Sequence, residues 1–184
     1  MPRDMLEKEK LLQYILKPNA AIRKDAKWIS HVNLSINDIN RRFFSASERW
    51  HPNLWWVILS FDPEILEHSG VHFGTTNNIY PGVLIKSGVE GLEQLYKEPI
   101  SHGYPRWPEH TRLHTSEEDP TCPQAEVLYP GPLSLRFLKR VYVRDAAIYL
   151  EACSFLTFLP NAESIEVKID PDRFTRSKVD ACNP

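Results

Sequence analysis

Residues 124–143 read QAEVLYPGPLSLRFLKRVYV, from Gln124 to Val143. Ala125 to Tyr129 has the length and composition of a strand. Pro130-Gly131-Pro132 is a turn, because proline presets one backbone angle and glycine tolerates what other residues do not. Ser134 can cap a short helix. Arg140 to Val143 then reads as a second strand. If Ala125, Val127 and Tyr129 face a core, Glu126 and Leu128 face the other side of the sheet. A carboxylate inside a strand either lines a cleft or meets solvent, and the pattern alone leaves both open.

Upstream of this stretch lies the least regular part of the chain. Residues 99–123 hold Pro99, Pro105, Pro108, Pro120 and Pro123 together with His102, His110 and His114. They also hold the carboxylates Glu117, Glu118 and Asp119. A structureless segment of this length inside a compact domain is either functional or disordered. Tyr104, Arg106, Trp107 and Arg112 interleave aromatic and cationic groups, which can stack on and hold an unpaired base. The alternative is a proline-stiffened loop that only packs on the domain. His110 and His114 are four apart, a metal-binding spacing only on a helix, and the prolines upstream argue against one. No metal is expected.

Further outward the elements alternate without regular βαβ spacing. Met5 to Leu16 repeats apolar residues at helical intervals and stops at Pro18. Trp28 to Ile36 alternates, with His31, Asn33 and Ser35 on one face and Val32, Leu34 and Ile36 on the other. Asn37-Asp38 can cap a helix carrying Arg41, Arg42, Phe43 and Phe44. Leu54 to Phe61 (LWWVILSF) is almost continuously apolar and reads as a central buried strand. Asp62-Pro63-Glu64 starts a helical turn. Val71 to Phe73 is a strand ending in the polar cluster Gly74 to Asn78, and Gly88 to Tyr96 is helical. Ala146 to Leu159 is a core-facing helix, and Ile165, Val167 and Ile169 alternate as a last strand. The tail beyond Pro171 is polar and expected to fray. This is an α+β fold on a mainly antiparallel sheet, expected as one domain over residues 1–184.

Composition narrows the function. The 184 residues are 42% hydrophobic and 25% charged, with a net charge of −2, which argues against tight, charge-driven binding of duplex DNA. The basic clusters Arg41, Arg42, Arg49 and Lys139, Arg140, Arg144 are ordinary solvated faces on pattern alone. Cys122, Cys153 and Cys182 are odd in number and scattered, so neither a disulfide framework nor a cysteine metal site is indicated. Reduced thiols fit a cytoplasmic protein. No stretch approaches the roughly 18 apolar residues of a membrane span, and no membrane association is expected. Phosphate-binding glycine loops, G-x-S-x-G and H-E-x-x-H are absent.

The order of segments resembles the DarT family of DNA ADP-ribosyltransferases, toxins of toxin–antitoxin pairs. The resemblance runs from about residue 28 to 145. It is carried by Asn33-Leu34-Ser35-Ile36, the pair Arg41-Arg42, WVILSFDPEIL (Trp56 to Leu66) and Val71-His72-Phe73-Gly74-Thr75-Thr76-Asn77. QAEVL followed by SLRFLKRVYV is its most specific part. It implies an ADP-ribosyltransferase fold with a split sheet, NAD as substrate, and single-stranded DNA as acceptor. By the same resemblance Glu126 is catalytic and Arg42 assists it. His31, Asn33, Ser35 and Arg41 contact NAD, and Tyr104, Arg106, Trp107 and Arg112 contact the nucleic acid. An antitoxin protein is an implied partner. The family opens with a histidine motif, roughly H-x-x-N-L. Here His31-Val32-Asn33-Leu34 is one residue shorter and unusually close to Arg41-Arg42. Two other readings stay open: a catalytically silent binding domain on the same fold, and a small metal-dependent nuclease using the histidine-rich loop.

Overall fold

The structure, a computed structural model, describes residues 26–159 and 162–175. The expected helix Met5 to Leu16 and Cys182 lie outside these residues. The chain forms two compact units, one built from residues up to Asn37 plus Leu66–Leu133, the other from Asp38–Ile65 plus Ser134 onward.

The first unit is a four-stranded antiparallel sheet. Its strands are β1 (His31–Leu34), β3 (His72–Gly74), β4 (Ile85–Ser87) and β5 (Glu126–Pro130), in the order β1-β5-β3-β4. The helix α2 (Gly88–Gln94) follows β4 directly. β5 is therefore an inner strand, hydrogen-bonded on both edges. Val127, Leu128 and Tyr129 are all buried, so both faces of β5 are covered along its middle.

The second unit holds a three-stranded sheet in the order β2-β6-β7, from β2 (Ile58–Phe61), β6 (Leu138–Val143) and β7 (Glu166–Ile169). β2 and β6 run antiparallel, β6 and β7 parallel. Its core is Leu138, Val141, Val143, Ala152, Leu156 and Ile165. Among the described residues this unit holds the helices α1 (Arg41–Trp50) and α3 (Ala146–Leu156). Ala152 and Leu156 are the buried face of α3, which starts where the Asp145 side chain accepts from Ile148 N.

Most elements fall where the sequence puts them; the short strand β4 carries no sequence signal of its own, and three other segments differ. Asn40 caps α1, accepting from the amide of Phe43. Asn37 instead takes a positive φ of 45° and Asp38 receives the Arg41 guanidinium. The LWWVILSF run is not a central buried strand. Only Ile58–Phe61 pairs, at the edge of its sheet, and Leu54, Trp55 and Leu59 are 44–49% exposed. A continuous apolar run does not distinguish burial on two faces from an edge whose apolar residues meet solvent. Finally, the segment after Asp170 does not fray at once. Pro171–Phe174 form a 3-10 turn, and Phe174 is buried edge-on against Phe44. The basic cluster in and just after β6 is paired locally, Lys139 with Asp62, Arg140 with Glu166 and Arg144 with Glu48.

Candidate active site

The register of the first sheet decides what stands beside Glu126. Directly opposed residues of an antiparallel pair project to the same face. Leu128 opposes Asn33 and Pro130 opposes His31 on one side of β5. Glu126 opposes Gly74 and Leu128 opposes His72 on the other. Glu126, His31, Asn33 and His72 thus share one face, as the alternation of His31 and Asn33 in the sequence requires. Gly74 has no side chain, which leaves the position beside Glu126 clear for groups arriving from the following turn.

Those groups are amides. The Glu126 Oε1 accepts from Asn77 Nδ2 at 2.9 Å and Asn33 Nδ2 at 3.4 Å. Its Oε2 accepts from the Asn78 backbone N–H at 2.9 Å and Asn78 Nδ2 at 2.8 Å. An ionised carboxylate is a pure acceptor, and here N–H donors reach both oxygens. Asn77 is itself oriented, because its Oδ1 accepts from the Ile79 amide at 3.1 Å and so turns Nδ2 toward the carboxylate. Asn78 Oδ1 is buried and has no partner among the described residues. It is an acceptor beside the carboxylate that a ligand hydroxyl can use. The sequence marks Gly74 to Asn78 only as a polar cluster at the end of a strand, and the available signal is the adjacent pair Asn77-Asn78, which begins three residues beyond β3.

An imidazole cluster extends the same face. Trp28 lies edge-on to His31, ring centroids 4.9 Å apart, and 5.2 Å from the His72 ring. Burial, and then the neighbouring His72, pushes the His31 pKa down. His72 Nδ1 donates to the Gly70 carbonyl at 2.8 Å, which leaves Nε2 as the acceptor of the neutral ring. Ser35 follows β1 and is exposed.

The expected nucleic-acid residues divide. Tyr104 and Trp107 lie 5.0 Å apart, Tyr80 meets both rings, and Trp107 is 49% exposed. Arg106 is exposed. Arg112 is turned inward instead. Its guanidinium donates to the carbonyls of Ser116 and Asp119 and to the Thr121 hydroxyl, and it lies over the Tyr96 ring. It clasps the loop, because loop carbonyls without a strand partner need donors. Glu117 and Glu118 are exposed and Asp119 accepts from Asn37, so the three carboxylates do not converge on the histidines.

Arg41 and Arg42 belong to the second unit. Arg41 donates to Asp38 and to the carbonyls of Asp172 and Thr175, so its donors hold the local chain. Arg42 is exposed, with no ion pair among the described residues. A hollow of about 220 Å³ in this unit, walled by His51, Trp55, Trp56 and Arg144 among others, contains none of the expected site residues. Among the described residues no helix is long and apolar enough to cross a membrane.

Comparison with known proteins gives the same picture. A comparison with curated protein sequences yields no match. Among solved structures, DarT of Thermus sp. 2.9 in complex with NAD+ superposes with a TM-score of 0.59 at 16% identity, covering 80% of this chain and 74% of that one. The same enzyme in complex with ADP-ribosylated ssDNA gives 0.59 and 16%, with 80% and 70% covered. DarTG of Thermosipho africanus in complex with ADP-ribose gives 0.58 at 14% identity over 95% of this chain, which spans 46% of that longer one. These likenesses concern the fold. The family model described as ssDNA thymidine ADP-ribosyltransferase, DarT, matches residues 11–175. With nearly the whole chain matched and a strand glutamate held by amides behind an aromatic loop, this protein belongs to the DarT family of ADP-ribosyltransferases.

Proposed function

We propose that the chain transfers ADP-ribose from NAD to a thymidine base in single-stranded DNA, with Glu126 as the catalytic carboxylate. The observation that carries this is the amide-held carboxylate on the inner strand β5, in a chain of this family. As the bond from ribose C1′ to nicotinamide breaks, positive charge grows on the ribose. A carboxylate fixed in advance stabilises that charge without reorganising. It can also take the proton that the attacking base releases as the new C1′ bond forms. The base has to be unpaired to enter, which favours a single strand over a duplex.

The other roles follow this reading. His31 and Asn33 share the face of Glu126 and would contact the NAD ribose, with Ser35 at the end of that strand. Asn78 Oδ1 offers a ribose hydroxyl an acceptor. Tyr104 and Trp107 would stack on the nucleic acid and Arg106 would meet its phosphates, whereas Arg112 holds the loop that presents them. For Arg42 the role of assisting at NAD rests on the family resemblance, and Arg41 keeps a local structural role. An antitoxin partner and a cytoplasmic site of action are part of the proposal. The DarTG likeness and the absence of a membrane-crossing helix among the described residues are consistent with both.

The test is product mass. Wild type and Glu126→Gln are incubated with NAD and oligonucleotides that differ only in containing or lacking thymidine. A gain of one ADP-ribose on thymidine-containing single strands, absent with Glu126→Gln, is expected. An adduct on thymidine-free strands, or full activity in the variant, would overturn the assignment.

A further inference from the structure

We propose that His102, His110 and Cys122 form a zinc site that ties the two ends of the 99–123 loop together just ahead of β5. The Nδ1 or Nε2 atoms of the two histidines and the Cys122 Sγ all lie within 4.8 Å of one another. Zinc takes imidazole nitrogen at about 2.0–2.1 Å and thiolate sulphur at about 2.3 Å, in a tetrahedron that asks for slightly closer ligands. Binding would draw the three side chains together by rotation. A fourth, exchangeable ligand such as water completes the shell.

Three observations distinguish this cluster from ordinary packing. First, it holds polar atoms with nothing to do. His102 is 5% exposed, and both its ring nitrogens are buried without a hydrogen-bond partner among the described residues. His110 Nε2 is in the same position. Buried polar atoms without partners are rare in native proteins, because each forfeits its bonds to water with nothing in return. One metal ion would satisfy a nitrogen on each ring.

Second, the three ligands stand on independently pinned backbone. The His102 carbonyl accepts from Gly82 N at 3.1 Å. The Gly82 backbone approaches so closely that an added Cβ would lie 2.5 Å from Gly103 N and 2.7 Å from the His102 carbonyl carbon. His110 is bridged in both directions to Ile100, at 2.8 and 2.9 Å. Cys122 is fixed by the Ala125 amide on its carbonyl at 2.9 Å. Ligands held in advance lose little entropy on binding.

Third, two groups that would donate to a bound thiolate already stand beside the sulphur, and because burial pushes the free thiol's pKa up, the metal itself must displace the proton. The Gln124 amide donates to Sγ at 3.4 Å. The Thr76 hydroxyl is 3.3 Å away and rotates to donate once the thiol proton has gone. Binding is balanced as Cys122–SH plus Zn²⁺ giving a zinc thiolate and one proton released to solvent. Tyr80 and Trp107 pack edge-on against His102 and shield the site. One soft thiolate with two imidazoles selects zinc over the oxygen-preferring magnesium or calcium. The expectation of no metal rests on the His110/His114 spacing and on the scatter of the three cysteines. The partners of His110 lie eight and twelve residues away, and no helix links them.

The inference is independent of the transferase reading. The full chain is stripped with a chelator, dialysed, and titrated with zinc against a chromogenic chelator. A parallel sample receives cobalt(II), whose thiolate charge-transfer absorption reports sulphur ligation. One zinc per chain is expected, released by chelator and raising the unfolding midpoint. The cobalt band should persist in the Cys153→Ser/Cys182→Ser double variant and vanish in Cys122→Ser. If Cys122→Ser does not fold, His110→Gln should weaken binding while keeping the sulphur band. Wild type that takes up no stoichiometric zinc overturns the proposal, and so does a cobalt band that survives Cys122→Ser. Loss of DNA modification with zinc binding intact would bear on the transferase reading alone.

Discussion

Asn77→Ala isolates the positioning of the carboxylate from the carboxylate itself. The substitution removes the 2.9 Å donor from Glu126 Oε1 and the acceptor for the Ile79 amide. Glu126 keeps the contact from Asn33 at 3.4 Å and both bonds from Asn78. A hydrogen bond to a charged group is worth about 1.5–3 kcal/mol. If most of that orients the carboxylate in the transition state, kcat falls by about 10- to 100-fold, at about 1.36 kcal/mol per decade. KM for NAD should change little, because Asn77 acts through Glu126. The assay is single-turnover formation of ADP-ribosylated oligonucleotide at saturating NAD, with the unfolding midpoint measured in parallel. Asn77→Asp sharpens the test: it keeps the bond to Ile79 but sets a second carboxylate against the first. Like charges at that distance oppose joint ionisation. This variant should be the more damaged at neutral pH and recover as the pH falls. In a Glu126→Gln background Asn77→Ala should cost almost nothing further, since the two residues act as a unit. A kcat within twofold of wild type, or a full additional loss in the Glu126→Gln background, would refute the reasoning.

Trp107→Ala should weaken single-strand binding by about 1–3 kcal/mol, the worth of one stacked base, and leave NAD binding unchanged; fluorescence anisotropy with a labelled oligonucleotide reads it. Arg112→Ala should act on the loop rather than on nucleic-acid charge. It should lower stability by about 2 kcal/mol and open residues 98–121 to limited proteolysis, with little change in the salt dependence of DNA binding. His31 has its folded pKa lowered by burial and by His72. The unfolded chain therefore binds more protons in the window just below the ordinary imidazole pKa of about 6.5, and stability falls as the pH drops through it. His31→Gln should flatten that part of the curve in thermal unfolding series between neutral and mildly acidic pH.

The fold was legible where periodicity and caps agree. The strand before Pro130, the Ser134 cap and the helix after Asp145 each carry a local signal that their neighbours do not contradict. The LWWVILSF run misled because hydrophobicity reports what a segment can bury and not which sheet position it takes. The family resemblance singles out Glu126, whose catalytic part is proposed above. The alternation of His31 and Asn33 also predicted their common face, since a period of two survives any choice of partner strand. The asparagines of the turn after β3 were not legible as its holders, because they are 48 and 49 residues away in sequence and meet it only through the register of β3 with β5. The grouping of His102 and His110 with Cys122 was hidden because the three lie on one irregular loop, where no periodicity links their positions. Arg112 looked like a nucleic-acid contact because composition cannot tell a cation facing solvent from one that closes a loop on itself.

The bond from the Ala125 amide to the Cys122 carbonyl fixes how many residues separate the loop from the strand. Removing or adding one residue between Cys122 and Glu126 would either break that turn or advance β5 by one position. An advance by one turns every side chain of the strand to the opposite face, and Glu126 would leave the asparagines for the side occupied by Val127 and Tyr129. Length changes among relatives should therefore collect in the exposed tips near residues 105–109 and 113–118, while the spacing from Cys122 to Glu126 stays constant. A library of single-residue insertions scanned across residues 99–126 would record that boundary as an abrupt loss of folded protein.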